Sequence, residues 1–84
     1  MRPDDLLQEL HRRPFQPFRI YLTDGSNYEI RHPELVAVGR SRMFIGRPAP
    51  DETRPVFDDY LFVALLHINR IEPVAPNASS STSN

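Results

Sequence analysis

Two alternating stretches on either side of an Asp-Gly dipeptide constrain this chain more than any other feature. In Phe18-Arg19-Ile20-Tyr21-Leu22 the apolar Phe18, Ile20 and Leu22 alternate with Arg19 and Tyr21, and Tyr28-Glu29-Ile30-Arg31-His32 alternates in the same way. This period of two marks half-buried strands. The register between them follows from what each loop length would pair. With Asp24-Gly25 alone as the loop, Ile20 would meet Glu29 and Leu22 would meet Asn27, mixing core with solvent positions. A loop of Thr23, Asp24 and Gly25, with Gly25 in the left-handed conformation, pairs Phe18 with Ile30, Ile20 with Tyr28 and Arg19 with Glu29. Apolar then meets apolar, and opposite charges meet on the outer face.

The remaining segments extend a mainly β reading. Pro3 at a first helical turn, Asp4, Asp5 and Glu9 toward its positive end, and Arg12 and Arg13 before Pro14 predict a short helix over about residues 3 to 12. Its Leu6, Leu7 and Leu10 form one stripe, so it caps a core. His32-Pro33-Glu34 interrupts pairing because Pro33 lacks an amide hydrogen, and Leu35 to Val38 resumes, giving one strongly bent strand. Gly39-Arg40-Ser41 turns the chain into Met43-Phe44-Ile45, with Val36 and Val38 on the face of Met43 and Ile45. Residues 46 to 57, GRPAPDETRPVF, read as a long exposed loop. Leu61, Leu65 and Ile68 fit helical spacing, but Tyr60-Leu61-Phe62-Val63 is rich in strand formers and unbroken in the manner of a buried strand, and strand is the reading chosen over helix. A tight helical turn over Leu65 to Asn69 and a short closing strand Arg70-Ile71-Glu72 follow. The expected architecture is about five antiparallel strands in a single domain over residues 1 to 74, with a disordered tail over 75 to 84 that carries no large apolar residue.

Composition narrows the function classes. With 84 residues, 39% of them hydrophobic and 25% charged, the chain suits one small globular domain and neither coiled coil nor wholesale disorder. Cysteine is absent, which excludes disulfides, thiolate metal sites and cysteine nucleophiles. The acidic N-terminus lacks the form of a secretory signal and no apolar run approaches membrane length, so a cytoplasmic location is expected. The formal net charge is -1, yet residues 11 to 47 hold Arg12, Arg13, Arg19, Arg31, Arg40, Arg42 and Arg47 against Asp24, Glu29 and Glu34. A basic middle therefore lies between acidic flanks.

The order of helix, strand, bent strand, strand, loop, strand, tight turn and short strand over residues 4 to 72 resembles the Sm-like small barrel and its Src-homology relatives. In particular, an apolar strand ends in Leu22-Thr23-Asp24-Gly25 and feeds a long bent strand. The resemblance implies a closed small barrel. The wording PFQPFRIYLTDGSNYEIRHPELVAVGR with a later VALLHINRIEP is also similar to a set of short uncharacterised bacterial proteins, which bring no activity with them. Sm-like proteins bind RNA through two turns, one with an Asp and Asn signature and one with an Arg-Gly or similar pair. Those places here hold Gly39-Arg40-Ser41 and Leu65-Leu66-His67-Ile68. The Asn is missing and apolar residues replace Arg-Gly, which removes most of the warrant for an RNA site. The binding candidates implied are Gly39, Arg40, Ser41, Arg42 and His67, with Arg40 for phosphate and His67 for stacking.

Chemistry is sparse. His11, His32 and His67 fit no metal spacing; Asp51-Glu52 and Asp58-Asp59 lack the calcium-loop pattern. Ser26 and Ser41 sit in turns with no neighbouring base in sequence, and no phosphate-cradling glycine loop exists. No enzyme, metal or cofactor is expected. The leading expectation is a protein-interaction or assembly module whose partner is another protein or a second copy, since Sm-like barrels often close rings through edge strands. The alternative is weak single-stranded RNA or nucleic-acid binding through the basic segment 11 to 47, using Arg12, Arg13, Arg40, Arg42 and Arg47.

Overall fold

The computed structural model describes residues 1–74, and the expected tail over 75 to 84 lies outside the described residues. The fold is mainly β: one helix, α1 (Pro3–Leu10), precedes β1 (Phe18–Leu22), β2 (Asn27–Ile30), β3 (Val36–Val38), β4 (Arg42–Pro48), β5 (Phe57–Ala64) and β6 (Ile68–Pro73). These strands form two antiparallel three-stranded sheets, ordered β2-β1-β6 and β3-β4-β5, rather than one closed barrel. About five strands become six because the bent strand is divided. The 3-10 turn Pro33–Leu35 stands at the bend, so β2 belongs to one sheet and β3 to the other.

The β1–β2 hairpin has the expected register, with Phe18 opposite Ile30, Arg19 opposite Glu29 and Ile20 opposite Tyr28. Gly25 takes φ +93, the region that favours glycine, and its amide donates to the Leu22 carbonyl at 3.0 Å. The β3–β4 hairpin pairs Val36 with Ile45 and Val38 with Met43, as their shared face requires.

Three boundaries differ from expectation. Helix α1 stops at Leu10, not near residue 12. Leu6 and Leu10 already fill the buried stripe, and the chain must turn so that Phe18 can enter the core while Phe15 packs edge-on against it, 6.2 Å between centroids. The loop expected over 46 to 57 is shorter at both ends, because Gly46, Arg47 and Pro48 pair with Tyr60, Asp59 and Phe57. A bulge at Arg47/Pro48 absorbs the extra residue Asp58. The turn after β5 is only Leu65–His67, which leaves Ile68 buried at the head of a longer β6.

One core unites helix and sheets. Leu6, Leu10, Phe18, Ile20, Ile30, Met43, Ile45, Val63, Leu65 and Ile68 are buried together. The N-terminal amine ties down the start of the chain by donating to the Leu65 carbonyl at 3.2 Å.

Candidate functional site

The alternation of β5 sends Leu61 and Val63 toward this core and leaves Tyr60 and Phe62 outside. On β4, Met43 and Ile45 point inward and Phe44 outward, directly opposite Phe62. The bulge then returns Phe57 to the outer side, where it lies over Gly46; a Cβ on Gly46 would come within 3.1 Å of the Phe57 Cβ. Four rings meet as a result. Phe44 is 5.3 Å from Phe57, 5.3 Å from Tyr60 in a stacked arrangement and 5.7 Å from Phe62, while Tyr60 contacts both Phe57 and Phe62 at 6.1 and 6.0 Å. This cluster faces solvent: Phe57, Tyr60 and Phe62 remain 43%, 55% and 53% exposed. Aromatic contacts of this kind are ordinary inside a core, but on an outer face they leave apolar area in water.

Arginine and carboxylate groups edge the cluster. The Arg42 guanidinium lies 4.7 Å above the Phe62 ring, Arg47 reaches Asp59 at 4.0 Å, and Asp58 follows Phe57 in the bulge. Arg42 stands at one end of the face, opposite Ala64, and Asp58 stands at the other, while Asp59 and its partner Arg47 fall on the side of the pleat that carries Leu61 and Ile45.

The residues singled out from sequence occupy a different place, the end of the molecule where the turns gather. The Gly39 amide donates to the Arg42 carbonyl at 2.8 Å, closing the β3–β4 turn with Arg40 and Ser41 exposed at its tip. The Ser41 carbonyl accepts from the Leu65 amide at 2.9 Å, and the His67 carbonyl accepts from the Thr23 amide at 2.9 Å. Backbone bonds thus join the β3–β4 turn, the Leu65–His67 turn and the β1–β2 turn. His67 lines a cleft of about 390 Å³ with Thr23, Asp24, Ser26, Tyr28 and Phe62. Within it the Asp24 carboxylate accepts the Ser26 hydroxyl at 2.6 Å and the Ser26 amide at 2.9 Å. These two bonds, with a smaller contribution from His67, hold the Asp24 carboxyl below its ordinary range. The serine hydroxyl is donating to a carboxylate in an exposed turn, which makes the pair a turn lock. Of the five sequence candidates, only Arg42 also belongs to the aromatic face.

Most of the arginines stand beside carboxylates. Arg12 pairs with Glu9, Arg19 and Arg31 with Glu29, Arg47 with Asp59, Arg54 with Glu52, and Arg70 with Glu72. Among the described residues, Arg13, Arg40 and Arg42 are the arginines without a carboxylate partner. No group of three or more His, Asp or Glu side chains among the described residues is arranged to hold a metal ion. Among the described residues no helix is long and apolar enough to cross a membrane.

No family model, curated protein or solved structure matches the chain. The aromatic face is what sequence reasoning missed. Tyr60-Leu61-Phe62-Val63 reads as a strand buried on both sides because strand formers occupy both of its faces. The available signal was Phe44, which the Met43/Ile45 face assignment already placed outside.

Proposed function

We propose that this chain is an open variant of the Sm-like small barrel, divided into two sheets, serving as a protein-interaction or assembly module, and that it binds through the outer face of β4 and β5. The observation that carries the reading is the cluster of Phe44, Phe57, Tyr60 and Phe62 on a solvent face. Aromatic rings with an adjacent arginine are the side chains that dominate binding energy where proteins meet. The barrel assignment is supported by the order of elements, by the strand bent at Pro33–Leu35 and by the 3-10 turn that leads into the last strand. No catalytic chemistry is required of any residue.

Single-stranded RNA is the competing ligand, because Arg42 over Phe62 resembles a stacking platform. Asp58 and Asp59 beside the rings and the carboxylates matched to most arginines disfavour a polyanion. A photo-crosslinking amino acid at Phe57, tested in the native host, separates the two. Discrete protein adducts are expected. Adducts to RNA alone, or none, would refute the reading.

A further inference from the structure

The free edge of the same sheet identifies the partner. Among the described residues, β5 has β4 on one side and no strand on the other. Natural sheets blunt such edges with charge, bulges or a covering segment. Here the bulge, Asp58 and Asp59, whose carboxylate accepts the Tyr60 amide at 2.8 Å, blunt the first part of β5, whereas Leu61 to Ala64 carries no charge at all. A strand added there would extend the aromatic outer face, so it must bring aromatic side chains at matching alternate positions. β5 itself carries them.

Resting on the interaction reading above, we propose that the partner is a second copy of this chain, joined by antiparallel pairing of the two β5 strands about a two-fold axis at Leu61. The register follows from the side chains. Any pairing that sets an even-numbered residue opposite an odd-numbered one puts Tyr60 against inward-facing Val63 or Leu61 and is excluded by the pleat. An axis at Tyr60 sets Phe62 against the other copy's Asp58, and an axis at Phe62 sets Tyr60 against Ala64. The axis at Leu61 sets Tyr60 opposite Phe62, and Phe62 opposite Tyr60, so both exposed rings of each copy gain an aromatic neighbour. It also brings together the charges that lack partners. Asp58 and Arg42 make no ion pair among the described residues and stand at opposite ends of the face. Antiparallel pairing brings the acidic end of each copy to the Arg42 end of the other, whereas parallel pairing would set acid beside acid. Because one strand supplies both halves of this complementarity, the contact closes as a dimer instead of propagating as a ring. The two β3-β4-β5 sheets become one continuous sheet.

The native chain lacks cysteine, so single introduced thiols report the register without background. Sedimentation of the wild type should give twice the 9.7 kDa chain mass. Under oxidation Leu61→Cys should crosslink first, since a self-paired residue lies about 4.5–5.5 Å from its copy. Tyr60→Cys and Phe62→Cys should lag, each lying about 8 Å from its own counterpart in this register. Tyr60→Ser should weaken the dimer about tenfold or more. Arg42→Glu should weaken it too, with circular dichroism unchanged in both. A monomer at about 100 μM would overturn the proposal. So would a larger ring, or faster crosslinking through Tyr60→Cys or Phe62→Cys. A monomer that still yields protein adducts from Phe57 overturns self-pairing and leaves the interaction reading standing; loss of all protein adducts removes that reading itself.

Discussion

The β1–β2 and β4–β5 hairpins are built alike on their inner sides and finished in opposite ways on their outer ones. Both turn alternate apolar residues into one core: Phe18, Ile20 and Ile30 from the first, Met43, Ile45 and Val63 from the second. On the outer side of β1–β2, Arg19 donates to Glu29 at 2.8 Å and to Asn27 at 2.8 Å, and Arg31 joins the same Glu29. Each outward group there has a polar neighbour and water. On the outer side of β4–β5, Phe44, Tyr60 and Phe62 occupy the equivalent places and have chiefly one another. Folding requires only the inner pattern, so the outer residues are free to serve something else. In one hairpin they pair charges with one another, and in the other, on our reading, they serve association.

The largest effect that would break this contrast comes from exchanging the roles of two phenylalanines. Phe18 is 1% exposed at the centre of the core, and Phe18→Ala should cost about 3–5 kcal/mol in denaturant unfolding. Phe62 is 53% exposed, and Phe62→Ser should change the stability of the monomer by less than about 1 kcal/mol. Equal costs would mean that the outer face is a second core and not a surface. Next in size is Gly25→Val. Nothing lies within 4 Å of a Cβ added at Gly25, so its cost is conformational alone, about 1–3 kcal/mol for a β-branched residue held at φ +93. Gly25→Asn should recover much of that loss, because Asn tolerates this region. An indifferent Val variant would show that the turn is not held at positive φ.

Smaller still is the ion pair that finishes the β1–β2 face. Arg19 and Glu29 remain 33% and 27% exposed, so a double-mutant cycle through Arg19→Ala and Glu29→Ala should give a coupling of about 0.2–1 kcal/mol. The same cycle on Tyr60 and Phe44 measures ring contact without charge. It should be insensitive to salt, whereas the Arg19–Glu29 coupling should shrink as salt is added.

The hairpin was legible in the sequence because its two faces differ in chemistry. Alternation of Phe18, Ile20 and Leu22 with Arg19, and of Ile30 with Glu29 and Arg31, allows only one register. The β5 strand was favoured as a strand against a competing helical spacing of Leu61, Leu65 and Ile68, and it was not legible as a surface. Tyr, Leu, Phe and Val in succession look the same whether both faces are covered or only one, and the distinction depends on whether another layer of protein lies outside. The ends of β4 and β5 were hidden for a local reason. Pro48 and Gly46 suggest a loop, and pairing extends over them because Phe57 folds back across the space that the missing Gly46 side chain leaves. The turn residues Gly39, Arg40, Ser41 and His67 were placed correctly in turns, and the backbone bonds from Ser41 and His67 that bring those turns together could not be read from spacing.

The smallest predicted effect is one of acid, and it falls on the turn of the charged hairpin, not on the aromatic face. Hydrogen bonds from the Ser26 side chain and amide lower the Asp24 carboxyl from its ordinary 3.8. Side-chain bonds from Arg54 and Arg70 lower Glu52 and Glu72 from 4.5. A carboxyl depressed in the folded state contributes stability that is fully present above its unfolded value and is lost as pH falls through the folded one. The two glutamates bond arginines two residues away, partners that stay within reach in the unfolded chain, so most of their depression cancels between states. Asp24 and Ser26 are also two residues apart, and what distinguishes Asp24 is that His67, brought beside it only by folding, adds to the lowering, and that Gly25 at φ +93 holds the Ser26 amide toward the carboxylate. The test is Asp24→Asn, which keeps an acceptor oxygen for Ser26 and removes the titration. Wild type should be the more stable protein at about pH 6, and the difference should close as pH falls below about 3.8. A gap that widens in acid would reverse the sign and place the stabilising bonds on the protonated carboxyl. An oligomer held by β5 should pass through the same pH range with its dissociation constant changed far less by Asp24→Asn than by Tyr60→Ser, since Asp24 stands across the cleft from Phe62 whereas Tyr60 supplies a ring to the proposed seam itself.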